Sequence, residues 1–103
     1  MKKRKPKPPH GNQEGMGLQE QYFWGGPLDG KRRRNYTSTT IHPENGMRNT
    51  IAGAVYVPWV WWHLSARNAV VSVWVLKSIN VDRVAHTLNR YVQTVSFHAG
   101  GGP

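Results

Sequence analysis

Apolar residues gather in the second half of the chain. From Ile51 to Leu76 they run almost unbroken, and from Val81 to Val95 they recur at a helical period. Before Asn49 they are scattered (Met16, Leu18, Tyr22, Phe23, Trp24, Leu28, Tyr36, Ile41, Met47) and keep neither a 3.6-residue nor a 2-residue period. Gly and Pro punctuate that first half, so residues 1–49 read as an extended, partner-ordered arm with no fold of its own.

The long apolar run predicts a helix. Asn49 or Thr50 can cap it, and His63 is the only strongly polar, charge-bearing side chain between Arg48 and Arg67. A membrane span needs about 20 residues, and on a straight helix Arg67 lies about 24 Å beyond Ile51, close enough to the far interface to snorkel. Pro58 frees one backbone carbonyl, a defect that a kinked membrane helix tolerates better than a soluble one. Residues 50–76 are therefore expected to form one kinked transmembrane helix, with Trp59, Trp61 and Trp62 towards the far interface. The β-branched stretch Ala69 to Leu76 leaves a buried strand of a small α/β domain as the competing reading. A lone strand is unstable, however, and little else in the chain is apolar enough to cover a sheet.

Val81, Val84, Ala85, Leu88, Tyr91, Val92 and Val95 make an amphipathic stripe, so a second helix is expected over 78–98. Ser78 or Asn80 can cap it, and Asp82 suits its first turn. The stripe is expected to rest on a partner protein or on the membrane interface. A Gly-rich tail, 99–103, follows. The expected fold class is all-α: one kinked transmembrane helix, an extended basic N-terminal arm and a C-terminal amphipathic helix.

Charge sharpens this picture. The net charge is +9, and ten of the fourteen Lys and Arg residues precede Ile51. They form two clusters, Lys2 to Lys7 and Lys31 to Arg34, with Arg48 beside the apolar run. That distribution suits anionic lipid, RNA phosphate or acidic protein surfaces, and it matches the flank that stays inside in membrane topology. Tyr22, Phe23 and Trp24, followed by the Gly25-Gly26-Pro27 turn, are candidate arm anchors together with Arg32, Arg33 and Arg34. Trp59, Trp61, Trp62, His63, Arg67 and Trp74 are the candidate membrane or partner contacts. No cleavable secretory signal is evident, so an import signal would be internal.

Catalytic chemistry is not expected. There is no cysteine, and the five acids and five histidines show neither paired-carboxylate nor metal-ligand spacing. The glycine pairs do not stand between a strand and a helix with the Lys a phosphate loop requires. No cofactor, metal or small-molecule substrate is expected.

From Thr40 to Leu76 the chain resembles the AGGG subunit of mitochondrial NADH:ubiquinone oxidoreductase (respiratory complex I). The residues that carry the resemblance are His42-Pro43, then Thr50, Gly53 and Val57, then Trp59-Val60-Trp61, with Arg67 as the basic residue beyond. A second likeness, to the small ubiquinone-binding-protein-like subunit of the cytochrome bc1 complex, rests on Trp24-Gly25-Gly26-Pro27, Thr37-Ser38 and Pro43. Both resemblances imply a non-catalytic, single-span accessory subunit of the mitochondrial inner membrane. Such a subunit would brace neighbouring membrane subunits within the bilayer, with its arm on the matrix side. The alternative from the basic clusters is an RNA-binding mitochondrial ribosomal protein, with nucleic acid the less favoured partner. A peripheral protein on anionic lipid is the third.

Overall fold

The computed structural model describes residues 16–38 and 41–99. The basic cluster Lys2 to Lys7, Thr40 and tail residues 100–103 lie outside them. One sheet of five strands dominates: β1 (Gly17–Trp24), β2 (Arg32–Thr37), β3 (Asn49–Ile51), β4 (Ala54–Leu64) and β5 (Ala69–Leu76), followed by one helix, α1 (Val81–Ala99). The strand order is β2-β1-β5-β4-β3, antiparallel throughout except for the parallel pair β1–β5.

This overturns the all-α expectation. The run 50–76, expected as a kinked transmembrane helix, is two hairpins' worth of strand. Among the described residues no helix is long and apolar enough to cross a membrane. The arm expected to be extended supplies β1 and β2, and β1 lies inside the sheet, between β2 and β5.

Strand geometry accounts for what made the run look helical. Val55, Val57 and Val60 with four aromatic rings fit a pleated surface better than a helix. Pro58 finds a place that costs no ladder bond. The Val55 carbonyl accepts from the Lys77 amide, 2.8 Å away, so Val55 and Val57 turn their backbone groups towards β5. Pro58 then points its missing N–H away from β5, the side on which strand prolines are tolerated. A bulge follows at Trp59, between the pairs Pro58–Trp74 and Val60–Val73. The β3–β4 turn is two residues long, Ala52 (φ 53°) and Gly53 (φ 79°), both left-handed as the primed hairpin turns require.

The helix lies on one face of the sheet. Leu88, Val95 and Ala99 are buried, and Val95 and Ala99 pack on Val71 and Val73, flanked by Tyr22, Val60, Trp62 and Leu64. The stripe that was expected to meet a partner or a bilayer therefore covers the chain's own sheet. Asn80 caps the helix through its side-chain oxygen, which accepts the Asp82 amide at 3.1 Å. At the other end the Arg67 guanidinium donates to the Ala99 carbonyl at 2.6 Å, satisfying a terminal acceptor and opposing the negative helix end.

The opposite face carries Phe23, Tyr56 and Trp74, all buried, with Leu28, Met47, Ile51, Ala54 and Leu76 around them. The Tyr56 hydroxyl donates to the Gly25 carbonyl (2.7 Å) and accepts from the Leu28 amide (3.0 Å). This ties β4 to the turn where Gly25 and Gly26 adopt φ of 90° and 70°. The connection from β2 to β3 runs from one sheet edge to the other, and its residues 41–48 lie across this face as a strap. Pro43 is buried beneath it, Met47 joins the aromatic cluster, and the Ile41 carbonyl accepts from Gln19 Nε2 at 2.8 Å. The architecture is thus helix, sheet, strap.

Tyr91 links the helix to β1 by donating its hydroxyl to the Phe23 carbonyl at 3.2 Å. Burial, and then the negative charge of Asp29, push its pKa up from 10.0 to about 12. The folded state holds this proton more tightly than the unfolded chain does. The associated stability is therefore complete below pH 10 and is lost as pH rises through about 12. After discounting for the partly exposed ring, the loss is on the order of 1 kcal/mol. Chemical denaturation at pH 9 and pH 11.5 should show this fall, and Tyr91→Phe should reduce it.

Candidate functional site

Register places a set of polar and aromatic side chains on the strap side of the sheet. The pairings Arg33–Gln21, Gln21–Ser72 and Ser72–Trp61 make one row running across β2, β1, β5 and β4. Asn35, Gln19, Val70 and His63 make the next. None of these strand residues is acidic, although the chain as a whole carries five acids.

The aromatic end of the face is open. Trp61 is 41% exposed and Trp59, at the bulge, 39%. The His42 ring of the strap sits 4.5 Å from the Trp61 ring, tilted by 52°, and 6.4 Å from the His63 ring, edge to face. Two imidazoles and an indole thus form an exposed ring cluster. Among the described residues no group of three His, Cys, Asp or Glu comes close enough together to hold a metal ion.

Between strap and sheet lies a cavity of about 290 Å³. Its sheet side includes Gln19, Gln21 and Ser72, and its strap side Ile41, Pro43 and Met47. Arg48 and Asn49 complete the lining where the strap enters β3. Trp74 closes the inner end and fixes the Ser72 hydroxyl by donating its indole N–H at 2.8 Å.

The other candidate residues fall elsewhere. Phe23 and Trp74 are core residues, 0% and 2% exposed, and not anchors on a second surface. Trp62 is half-buried beneath the helix, and Tyr22 and Trp24 are half-buried along β1. Burial, outweighing the nearby Arg32, raises the Tyr22 hydroxyl above its ordinary pKa. Arg32, Arg33 and Arg34 are all exposed on edge strand β2, where alternation sends only Arg33 to the strap side. Arg34 and Arg67 turn instead to Glu20, a carboxylate only 2% exposed, at 3.3 Å and 3.9 Å. The residues that shape the cavity, Gln19, Gln21, Arg48 and Ser72, were not singled out from sequence as a site. The available signal was the alternation Leu18/Glu20/Tyr22 against Gln19/Gln21/Phe23, too short and too polar to register as a strand.

The segments behind the complex I resemblance are now placed: His42-Pro43 lies on the strap and Trp59-Val60-Trp61 on β4. Neither lies on a helix long and apolar enough to cross a membrane, unlike the single membrane helix the resemblance implied. No family model matches the chain, and no curated protein or solved structure matches it.

Proposed function

We propose that this chain is a non-catalytic accessory protein that binds single-stranded RNA across the strap side of its sheet. The row Arg33–Gln21–Ser72–Trp61 is the observation that carries the reading. It sets the Arg33 cation, the Gln21 amide and the exposed Trp61 indole along one line, with the buried Ser72 between them, free of acidic strand residues, in a chain of net charge +9. Indole faces take unstacked bases whatever their sequence, while Arg takes phosphate. The His42 ring beside Trp61 widens the stacking surface. A ribonucleoprotein, such as a mitochondrial ribosome, is the kind of assembly this suits. The basic residues Lys2 to Lys7 add further charge for phosphate.

Arginine on an edge strand has another use, since charge there deters edge-to-edge aggregation. Salt dependence separates the two roles. Anisotropy of a labelled 12-nucleotide RNA between 50 and 200 mM salt should show steep weakening for the wild type. Arg33→Ala should reduce the log–log slope by about 0.7, one phosphate's share for a single strand. Trp61→Ala should weaken binding by roughly 10- to 100-fold, the worth of one stacked base. Both side chains are exposed, so circular dichroism should be unchanged. RNA binding absent at 50 mM salt, or identical in Trp61→Ala and wild type, would sink the reading.

A further inference from the structure

We infer that the cavity between strap and sheet holds a single unstacked nucleotide unit, its base met by the amides of Gln21 and Asn49 and its phosphate by Arg48. This deepens the RNA-binding reading and rests on it.

The size of the cavity is the first constraint. About 290 Å³ lies just below the range of small-molecule sites, roughly 300–1,000 Å³. It suits one planar ring system with a small appendage, and is too small for a run of strand. The lining chemistry is the second. Ile41 and Met47 present apolar surface from the strap, suited to the face of a flat ring. Opposite them, the Gln21 carboxamide makes no hydrogen bond among the described residues. A carboxamide offers a donor and an acceptor side by side, the pattern that pairs in bidentate fashion with the edge of a base. Asn49 supplies a second such group.

Charge is the third constraint. Among the described residues Arg48 is the only charged side chain in the lining, and it is exposed. A ligand with one anionic group beside a neutral, hydrogen-bonding ring matches that lining. A cation or an aliphatic chain does not. Gln19 acts differently. Its Nε2 is already given to the Ile41 carbonyl, so it positions the strap that forms the roof. The competing occupant is water, which commonly fills a polar gap beneath a loop.

The test compares full-length wild type, Gln21→Leu and Arg48→Ala. The ligands are oligo(A), oligo(C) and oligo(U) 9-mers, and the free monophosphates AMP, CMP and UMP serve as competitors. Wild type should prefer one homopolymer by tenfold or more. Gln21→Leu should compress that preference to within about twofold while keeping the salt slope, and its circular dichroism should match wild type. Arg48→Ala should weaken all three ligands together and lower the slope by about 0.7. Competition by the preferred free monophosphate would show that the site also takes a loose nucleotide. Loss of preference in Gln21→Leu without such competition would show that it takes one only within a strand. Equal affinity for all three 9-mers in wild type, or a preference that survives Gln21→Leu, overturns the inference and leaves RNA binding standing. Failure of wild type to bind any 9-mer overturns the RNA reading itself, and this inference with it.

Discussion

Replacing Arg34 and Arg67 together by Ala is expected to cost about 3–5 kcal/mol of folding stability, the penalty for stranding a buried charge. Glu20 is 2% exposed, and its carboxylate meets Arg34 Nε at 3.3 Å, Arg67 Nη2 at 3.9 Å and the donating Tyr22 hydroxyl at 3.1 Å. With both guanidiniums gone, the Tyr22 hydroxyl would be the one side-chain partner left, among the described residues, to a buried carboxylate. The guanidiniums themselves are about two-fifths exposed (43% and 41%), so either one alone keeps much of its hydration. Each single substitution should therefore cost much less than the pair, about 1 kcal/mol. Arg67→Ala also removes the bond to the Ala99 carbonyl and should fray the last turn of α1. Urea denaturation followed by indole fluorescence measures all three variants. The decisive comparison adds Glu20→Leu to the double variant. If the stranded charge is the cause, the triple variant should recover most of the loss, because an apolar side chain at that site needs no partner. A triple variant no more stable than the double would assign the cost to lost arginine packing instead.

Why so little of this sheet was legible in the sequence follows from which faces are covered. A strand announces itself by alternation only when one of its faces meets water. In β4, Val60, Trp62 and Leu64 lie beneath the helix side, while Tyr56, Pro58 and Trp61 meet the strap and its surroundings. Trp59, Trp61 and His63 are exposed, but two of these three are indoles, so polarity does not alternate along the strand and a run of suitable length imitates a span. In β5 seven of eight residues are buried, so both faces are covered and alternation is lost there too. β2 fails in the opposite way. As an edge strand it is exposed almost throughout, and Arg32-Arg33-Arg34 has no apolar face to reveal. The strap was missed because it is built of turn residues. Only the structure shows that His42-Pro43-Glu44-Asn45-Gly46 travels across a sheet. The helix stripe from Val81 to Val95 was legible because one of its faces is solvated, but what that stripe covers is a tertiary fact. The site shared the fate of the strands. Arg33 and Trp61 could be noticed as residue types, yet their common row with Gln21 and Ser72 exists only through the registers of β1 with β2 and β5, and of β5 with β4.

Two indoles of one apolar run should now behave in opposite ways. Trp74→Ala is expected to cost about 3–5 kcal/mol, as large core truncations do. Trp74 is 2% exposed, packs with Phe23 and Tyr56, and holds the Ser72 hydroxyl with its N–H at 2.8 Å. For a chain of this size the total stability is about 5–15 kcal/mol, so the variant should lose more than 10 °C in Tm and approach collapse at room temperature. Trp74→Phe keeps much of the bulk but removes the donor, and should cost less, about 1–2 kcal/mol. Trp61→Ala should instead stay within about 1 kcal/mol of wild type. Its ring is 41% exposed, and its recorded ring contact is with His42 on the strap. On the RNA-binding proposal the ranking reverses, since Trp61 has an exposed face that a base could stack on and Trp74 is buried. The comparison therefore joins fold to the proposed function: a membrane helix would give these two residues similar, lipid-facing roles, whereas the sheet makes one a core residue and leaves the other exposed. Thermal melts of Trp74→Phe, Trp74→Ala and Trp61→Ala, each paired with RNA anisotropy where the variant folds, test both halves. Equal melting temperatures for the two alanine variants would contradict the assignment of faces on which the proposed binding surface depends.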